Sequence, residues 1–543
     1  MVAARLIAAS LLTLAARCLA HEHPDRASEK LGTVQFATSC NELAQRDVNR
    51  AVALLHSFQF SRAIDGFNAA LGEDATCGIA YWGIALSDWS NPFAAGIKDN
   101  TQLRAGRESA EHGKTVGAKT ERERADIAAV GTLYSNYETA SQQARLIAYR
   151  DAMQDVAAKY SDDREAQIFY ALAIAASEDP TDKTYAGRLK AGAILEGLFQ
   201  QEPSHPGLAH YIIHTYDVPA LAGRALVAAR RYSEIAPDAP HALHMPSHTF
   251  TRMGYWQESI DSNIAAAAAA KREGQTAEEL HASDYEEYAY LQTGRDQAAR
   301  RIVDSLPEIA SRFDPRAVIA GAGGPAAGYF ALAAIRARYV LERGDWKEAA
   351  QLQVRETPFP HTDAITWFAR GLGAARSGQA GAAVESAAAL EKIRQQLLKA
   401  TEGYWAVQVQ IQQLEVLAWT SLVNGKQEEA LRQLRSAAEL EDGTEKSAVT
   451  PGPLAPAREL LGEMLLAMNQ PAPALEQFEA TLKKEPRRFR ALLGAARSAQ
   501  LSGAGDASRR YYRELLDTCV HADTPGRPEL TEARLQVALK PER

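Results

Sequence analysis

The sequence predicts an all-α protein built from helical hairpins that follow one another along the chain. From about residue 40 onward, apolar residues recur with the period of amphipathic helices, and no stretch alternates apolar and polar residues long enough to indicate a sheet. Hydrophobic residues make up 46% of the 543 residues but aromatic residues only 7%, so the core consists mainly of Ala and Leu. Such small side chains suit helices that pack closely on one another.

The first element of the chain is an export signal. Arg5 precedes the apolar run of residues 6–16, and Cys18-Leu19-Ala20 supplies the small residues that signal peptidase requires. We therefore expect residues 1–20 to be a signal peptide, residues 21–39 to be an N-terminal extension, and the mature protein to be periplasmic or secreted. The apolar run is too short for a permanent membrane span. The formal net charge of −8 disfavours a nucleic-acid partner.

Three cysteines remain after cleavage: Cys40, Cys77 and Cys519. In an exported protein, Cys40 and Cys77 can form a disulfide that bridges the two ends of one helical hairpin. Closing that loop stabilises the fold by roughly 4 kcal/mol in the chain-entropy model. The alternative is a pair of buried free thiols. Cys519 is left without a partner, and we expect it to be an inert buried thiol rather than a nucleophile.

A recurring pattern marks the junction between the two helices of each hairpin. A glycine is followed by an aromatic or small residue and then by an alanine or serine, as in Gly254 to Ser259 and Gly344 to Ala349. The glycine makes the tight turn, and the small residue lets two antiparallel helices approach each other. This pattern resembles the tetratricopeptide repeat, a helix-turn-helix unit of about 34 residues. The resemblance implies an α-solenoid, a right-handed superhelix with a concave groove.

The regularity of the pattern divides the mature chain. Residues 40–200 are expected to hold irregular N-terminal helical repeats. Residues 201–310 hold regular repeats with a concentration of histidines, and residues 331–520 hold the C-terminal repeats. We expect residues 311–330 to be a connection and residues 521–543 to be a C-terminal tail.

The histidines are the most informative residues of the sequence. His210 and His214 form an HxxxH pair, and His244 and His248 form a second pair 34 residues later, which is one repeat. Residues four apart share one face of a helix, and packed helices lie about 10 Å apart. We therefore expect the four imidazoles to converge on one point.

The repeat register adds further polar residues to this group. In tetratricopeptide repeats, four positions of each first helix line the concave groove, and the resemblance places His241, His281, Asp284, Tyr288 and Asp217 at such positions. Imidazole and carboxylate ligands are typical of zinc, iron, copper or manganese sites. The alternative is a metal-free groove that binds an acidic peptide or responds to pH. We predict that the following residues bind a divalent transition metal: His210, His214, His241, His244, His248, His281 and Asp284.

Acidic residues of a later repeat also take groove positions. Glu459 and Glu463 fall at the fifth and ninth positions of their repeat. If the superhelix curls far enough, they can face the histidines and, with Tyr288, act as catalytic acid or base groups. The simpler interpretation is a pair of solvated carboxylates on an exposed helix face.

Three weaker features complete the search for sites. Cleavage after Ala20 would expose His21-Glu22-His23, whose terminal amine and third-residue imidazole can chelate copper. A stripe on one helix is interpreted as packing with a polar edge: Trp405, Gln408, Gln412 and Glu415. Four histidines are isolated and are interpreted as surface or partly buried residues: His56, His112, His361 and His521.

The chain also resembles a group of exported bacterial tetratricopeptide proteins. The segments that indicate this include HPGLAHYIIHTYD, HALHMPSHTFTRMG and VTPGPLAPARELLG. The resemblance implies architecture and export rather than a particular reaction. Two functions are therefore predicted. One is a metal-dependent hydrolase or oxidoreductase with its site in the concave groove. The other is a metal-free scaffold that binds an extended peptide or protein partner in the same groove.

Overall fold

The protein folds into a series of α-helical hairpins. The computed structural model describes residues 29–94, 96, 98–317 and 321–538. Within these residues the regular structure is helical and no strand is present, so the predicted all-α class is confirmed. The predicted signal peptide, with His21 and His23, lies outside them. Among these residues, no helix is both long and apolar enough to cross a membrane.

Twelve α-helices make up the N-terminal half, and each packs mainly against its neighbours in the chain. A short 3-10 helix, Ala222–Ala225, precedes the tenth. The helices are α1 (Glu42–His56), α2 (Phe60–Glu73), α3 (Ile79–Trp89), α4 (Asn100–Val116), α5 (Glu121–Thr132), α6 (Gln142–Lys159), α7 (Arg164–Ala176), α8 (Ala186–Gln201), α9 (Pro206–Thr215), α10 (Leu226–Ile235), α11 (Pro240–His244) and α12 (Pro246–Met253).

The C-terminal half continues the same architecture. Several of its hairpins turn at the predicted glycines, such as Gly294 and Gly344, whose φ angles of 68° and 66° favour glycine because it has no Cβ. The helices are α13 (Trp256–Arg272), α14 (Thr276–Gln292), α15 (Asp296–Arg312), α16 (Pro325–Glu342), α17 (Trp346–Ala349), α18 (Pro360–Arg376), α19 (Ala380–Lys399), α20 (Gly403–Val423), α21 (Gln427–Asp442), α22 (Ala457–Ala467), α23 (Pro471–Lys484), α24 (Phe489–Leu501), α25 (Gly505–Thr518) and α26 (Pro528–Ala538).

Two of these three cysteines form a disulfide in the structure, and the third is free. Cys40 precedes α1 and Cys77 precedes α3, and a disulfide joins them across the ends of the first hairpin. Cys519 follows α25 and is buried. Burial raises the pKa of its thiol to about 12. The side chain is therefore protonated at neutral pH and is a poor nucleophile.

Two large hydrophobic cores stabilise the chain, and they divide within the histidine-rich segment. The first core includes buried residues from Leu31 to Phe250, and the second includes buried residues from Trp256 to Ala533. Small residues such as Ala299 and Ala349 are fully buried between helices, as the repeat pattern predicts. The histidines of residues 201–310 therefore lie close to the junction of the two cores.

The connection between α21 and α22, residues 443–456, folds into the interior of the molecule, and we call it the inner loop. Tyr285 Oη donates to the carbonyl oxygens of Ala448 and Thr450, each at 3.0 Å. Arg338 Nη2 donates to the carbonyl oxygen of Gly452 at 2.9 Å. The repeat pattern gives no indication of this insertion. Part of the predicted groove is therefore occupied by the chain itself.

Candidate metal centre

Six histidines lie side by side at the junction of the two cores. α9 carries two of them, α11 and α12 together carry three, and α14 carries one. All six side chains are buried, with at most 6% of their surface exposed. We call this set the histidine cluster: His210, His214, His241, His244, His248 and His281.

A proline interrupts the helix that carries the second HxxxH pair. Pro246 has no backbone N–H, so the regular hydrogen bonding of α11 ends at His244 and α12 begins after Met245. Met245 keeps right-handed helical angles, and the backbone N–H of His248 donates to its carbonyl oxygen at 3.1 Å. The helical path continues through the break. His244 and His248 therefore remain on one face, as the sequence predicts.

The cluster forms two triads instead of converging on one point. His241 joins the first HxxxH pair, and His281 joins the second pair. Within each triad, one ligand nitrogen from each residue lies within 4.8 Å of the other two. The triads adjoin each other, since the ring centroids of His214 and His248 are 5.7 Å apart. Each predicted pair thus acquires its third histidine from a different helix.

Hydrogen bonds fix the tautomers of two histidines in the second triad. His248 Nδ1 lies 2.9 Å from Asp217 Oδ2, and a carboxylate only accepts, so Nδ1 carries the proton. His244 Nδ1 lies 2.7 Å from Asn263 Oδ1. The amide nitrogen of Asn263 donates to the carbonyl oxygen of Ser259 at 2.7 Å, which turns Oδ1 toward His244. Both imidazoles therefore present an unprotonated Nε2, and these two atoms are only 3.1 Å apart.

The first triad shows the same arrangement at His210. Its Nδ1 donates to the backbone carbonyl oxygen of His56 at 2.6 Å, which leaves Nε2 unprotonated. His241 Nδ1 makes only a long contact of 3.5 Å with Glu278 Oε2. Five buried ring nitrogens of the cluster have no hydrogen-bond partner: His210 Nε2, His214 Nε2, His241 Nδ1, His241 Nε2 and His281 Nδ1.

The environment keeps these imidazoles neutral. Burial lowers the pKa of His248 to about 4 and that of His281 to about 3. It also lowers the pKa values of His210, His214 and His244 well below the usual range, and the neighbouring imidazoles add to the effect. Neutral imidazole is the form that binds metals. At neutral pH these five side chains are therefore in the ligand form.

Asp217 connects the second triad to the inner loop. Its Oδ1 accepts from Arg252 Nε at 2.9 Å, and its Oδ2 accepts from Lys446 Nζ at 3.1 Å as well as from His248. Although burial opposes ionisation, Lys446 and Arg252 hold the pKa of Asp217 well below its usual value. A buried carboxylate that orients an imidazole in this way is typical of the outer shell of metal sites.

A cavity of about 480 Å³ opens onto the cluster. Its other walls come from the connection between α3 and α4, the beginning of α16, and residues 447–449 of the inner loop. Four histidines from both triads line it: His214, His241, His248 and His281. A ligand in this cavity would contact both triads.

Asp284, predicted as a ligand, lies outside both triads. Its Oδ1 accepts from Arg338 Nε at 2.9 Å, and both side chains are fully buried. It is on α14 with His281, but its carboxylate is paired with an arginine of α16. The structure thus assigns Asp284 to an ion pair rather than to the triads.

The predicted acid or base candidates belong to a separate network of buried charges. Glu459 accepts from Arg488 Nε at 2.7 Å, and Tyr288 Oη accepts from Arg488 Nη1 at 3.0 Å. Glu463 forms an ion pair with Arg376. None of the three candidates lines the cavity beside the histidines. The interpretation as solvated carboxylates is wrong for Glu459, which is fully buried against Arg488. Glu463 is partly buried and is paired with Arg376 and Arg490.

Sequence reasoning missed a second group of buried histidines, which we call the histidine–glutamate trio (His56, Glu165 and His205). Glu165 binds His56 Nε2 and His205 Nε2, each at 3.0 Å. His56 Nδ1 lies 3.0 Å from Tyr211 Oη, and His205 Nδ1 accepts from the backbone N–H of Leu208 at 3.3 Å. Every ring nitrogen of the trio therefore has a partner.

The interpretation of His56 as isolated is wrong, since its side chain is fully buried. His56 and Glu165 are 109 residues apart, so no local spacing connects them. The only signal in the sequence is the apolar segment VALLHSF around His56, which indicates burial. His112 and His521 are exposed, as expected.

Comparisons with known proteins give no family and no close relative. No protein-family model matches the chain, and no curated protein matches it. The human IFIT1 dimer with m7Gppp-AAAA is similar at 12% identity and a TM-score of 0.36, with 83% of this chain and 96% of that chain covered. The APC/C hetero-tetramer Cut9-Hcn1 is similar at 12% identity and a TM-score of 0.35, with 91% and 90% covered. Likenesses this distant carry no argument about function, which depends here on the site itself.

Proposed function

We propose that the protein is an exported metal-binding protein whose histidine cluster holds divalent transition-metal ions, one at each triad. We further propose that this centre acts on a small ligand in the adjoining cavity, as a hydrolase or an oxidoreductase. The observation that supports the proposal best is the contact between His244 Nε2 and His248 Nε2. Both atoms carry a lone pair and lie 3.1 Å apart, while both Nδ1 protons are committed to fixed acceptors.

Two lone pairs at this distance repel each other unless a cation lies between them. A shared proton would place a positive charge in a buried site, where an uncompensated charge is costly. A metal ion would relieve the repulsion and would also use the third histidine, His281. Ligand nitrogens of a tetrahedral zinc ion with bonds of 2.0–2.1 Å are about 3.3 Å apart. The observed separation is close to that value.

The donor set narrows the choice of metal. Both triads offer only imidazole nitrogen. Imidazole suits zinc, copper and iron, whereas manganese prefers carboxylate and water oxygen. Zinc, copper or iron therefore fits better than manganese, which the sequence also allowed.

The coordination number supports a reactive centre. Three protein ligands leave a zinc ion with an open position, as in catalytic rather than structural sites. Histidines of both triads face the cavity, so a ligand can reach that position. An ion held there supplies Lewis-acid activation of water or substrate oxygen, or electron transfer if it is copper or iron. The chain contributes the outer shell: Asp217 and Asn263 hold the proton on Nδ1 of His248 and His244.

The disulfide supports the proposed export. The disulfide between Cys40 and Cys77 is of the kind that persists in an oxidising compartment. The alternative function, a scaffold for an extended peptide, has less support. The inner loop already occupies part of the groove and makes buried hydrogen bonds there.

Elemental analysis tests the proposal. Protein purified under metal-replete conditions is expected to contain about two ions of one transition metal per chain. The double variant His244→Ala/His248→Ala is expected to lose the ion of the second triad. His112→Ala, which changes an exposed histidine, is the matched control and should keep the wild-type content.

A wild-type metal content below about 0.2 ions per chain would sink the proposal. Circular dichroism of the double variant should show wild-type helicity. This control establishes that the variant has lost its metal ion without unfolding. The scaffold alternative is supported instead if the purified protein contains no metal and a peptide binds its groove. The affinity for that peptide should then be the same in the wild type and in the double variant.

A further inference from the structure

The cavity beside the histidine cluster contains a second polar feature, a lysine from the connection between α3 and α4. Lys98 lines the cavity and is 9% exposed. The same connection packs on the first triad, because the ring of Phe93 stacks on that of His214 with centroids 4.3 Å apart. A sphere with the volume of the cavity is about 10 Å across, so one ligand can contact both Lys98 and the histidines.

The ammonium group of Lys98 has no acidic partner among the described residues. Its Nζ donates to the backbone carbonyl oxygen of Asn91 at 3.1 Å and lies 5.1 Å from the centroid of the Trp89 ring. The guanidinium of Arg145 lies at the same distance, 5.1 Å, from that ring and donates to the backbone carbonyl oxygen of Leu133. Two buried cations therefore lie close together without a counter-charge. Such an arrangement is costly unless an anion binds.

The acidic residue that lines the cavity does not neutralise Lys98. Apart from the histidines, Lys98 and Asp99 are the charged side chains among the described residues of the lining. Asp99 is exposed, and its Oδ1 accepts from the backbone N–H groups of Thr101 and Gln102, so it caps α4. Burial lowers the pKa of Lys98 to about 7, and Arg145 adds to the effect. An ion pair with Asp99 would have the opposite effect.

Aromatic side chains form another part of the lining, which we call the aromatic wall. Tyr329, Phe359, His361 and Trp405 contact one another in that order, with ring centroids 5.9, 6.1 and 4.2 Å apart. His361 Nδ1 and Trp405 Nε1 have no hydrogen-bond partner. The interpretation of His361 as a surface or partly buried residue is wrong, since it is only 7% exposed. An indole N–H only donates, so a ligand with an acceptor would satisfy it.

We propose that this cavity binds a small aromatic acid, with its carboxylate at Lys98 and its ring against the aromatic wall. One uncompensated cation in the lining matches a monoanion, and aromatic rings pack well on other rings. Water could satisfy the polar atoms of the wall, but it would not neutralise Lys98. The role of the acid as a substrate rests on the proposed function, because its far end would then reach the ions at the triads.

The volume sets an upper limit on the ligand. A cavity of about 150 Å³ holds one benzene ring, so this cavity accommodates up to about 20 non-hydrogen atoms. Benzoate is therefore a suitable probe, since it has one ring and one carboxylate. Benzamide is its neutral analogue of the same size and shape. Comparison of the two isolates the contribution of the negative charge.

Isothermal titration calorimetry of the full chain at pH 6.5 tests the proposal, after a chelator has removed any metal and has been dialysed away. Benzoate is expected to occupy one saturable site with a dissociation constant below about 10 mM, and benzamide should bind at least tenfold more weakly. Lys98→Met should weaken benzoate binding at least tenfold and leave benzamide binding unchanged. Lys98→Arg, which keeps the positive charge, should weaken benzoate binding less than Lys98→Met does.

Lys114→Met is the matched control, because it changes an exposed lysine on α4. Lys98→Met is expected to fold, since it keeps an apolar stem and removes an unpaired buried charge. Circular dichroism checks this. If the variant does not fold, the comparison of benzoate with benzamide on the wild type still decides.

The proposal is overturned if benzoate shows no saturable binding below about 10 mM, if benzamide binds equally well, or if Lys98→Met leaves benzoate binding unchanged. The metal content is measured independently. Lys98-dependent benzoate binding supports the acid site even if elemental analysis finds no metal. A protein that contains the expected metal but fails to bind benzoate once stripped of it would overturn this inference alone.

Discussion

The histidine–glutamate trio and the histidine cluster contain the same kind of side chain in the same kind of environment. His56 and His205 are as deeply buried as the six histidines of the cluster. In the trio, Glu165 and neighbouring groups satisfy every ring nitrogen. In the cluster, five ring nitrogens have no hydrogen-bond partner, and the lone pairs of His244 and His248 face each other. Burial and clustering are common to both groups. The completeness of hydrogen bonding separates a structural group from a candidate ligand set.

The largest effect is expected in the trio. Glu165→Ala would leave His56 and His205 without their acceptor, and it should lower the free energy of unfolding by about 3–5 kcal/mol. Urea unfolding followed by circular dichroism measures this loss. Glu165→Gln, which keeps an acceptor, is the matched control and should cost less. If Glu165→Ala stays folded but loses bound metal, the trio belongs to the metal centre and the comparison fails.

Metal removal is expected to affect the cluster and not the trio. An ion present at 100 to 1,000 times its dissociation constant stabilises the folded state by about 2.7–4.1 kcal/mol. Treatment with a chelator should therefore lower the wild-type melting temperature and leave the His244→Ala/His248→Ala variant less changed. Differential scanning calorimetry of both proteins, with and without chelator, provides the measurement. Equal effects on the two proteins would contradict a site at the second triad.

Asp217 offers a finer test of the cluster. Asp217→Asn should keep the protein folded but weaken metal binding about 10- to 100-fold, as is usual for the loss of an outer-shell carboxylate. Competition with a chelator of known affinity gives the change. Asp284→Asn is the control, because it alters another buried carboxylate that lies outside both triads. If the Asp284 variant loses more metal than the Asp217 variant, the original prediction of Asp284 as a ligand is restored.

The smallest effect is a pH dependence of the trio. Burial lowers the pKa of His56, although Glu165 opposes this. As pH falls below about 6.5, the unfolded chain takes up this proton before the folded chain does, so stability decreases. The contribution of one such histidine is at most about 1.4 kcal/mol per pH unit. The slope of the unfolding free energy against pH reports the number of protons taken up on unfolding. Between pH 6.5 and 5, this number should be smaller by about one in His56→Phe than in the wild type. An unchanged slope would show that His56 is protonated in the folded protein.

The sequence predicted those parts of the structure that depend on local spacing. Helical periodicity gave the fold class, and the glycine pattern gave several of the turns. The offset of one repeat brought the two HxxxH pairs close together, and it also brought His241 and His281 to them. Spacing sufficed here because neighbouring repeats stack in a regular way.

The failures concern contacts between distant parts of the chain. Asp284 occupies the predicted register, but Arg338 from the next hairpin attracts it away from the histidines. Glu459 is covered by Arg488, which belongs to a later repeat. The trio joins two helices with no common spacing. Charge pairing and packing between repeats determine where these side chains lie. The periodicity of the sequence contains no information about such contacts.

The inner loop changes what kind of molecule can enter the groove. A free peptide would have to displace a segment tethered at both ends, whose effective concentration near the groove is in the millimolar range or above. That segment also makes buried hydrogen bonds with Tyr285 and Arg338, which the competitor would need to replace. The inner loop thus turns the open groove of a helical solenoid into enclosed cavities. The size of these cavities limits which ligands can bind, and it favours small molecules over extended peptides.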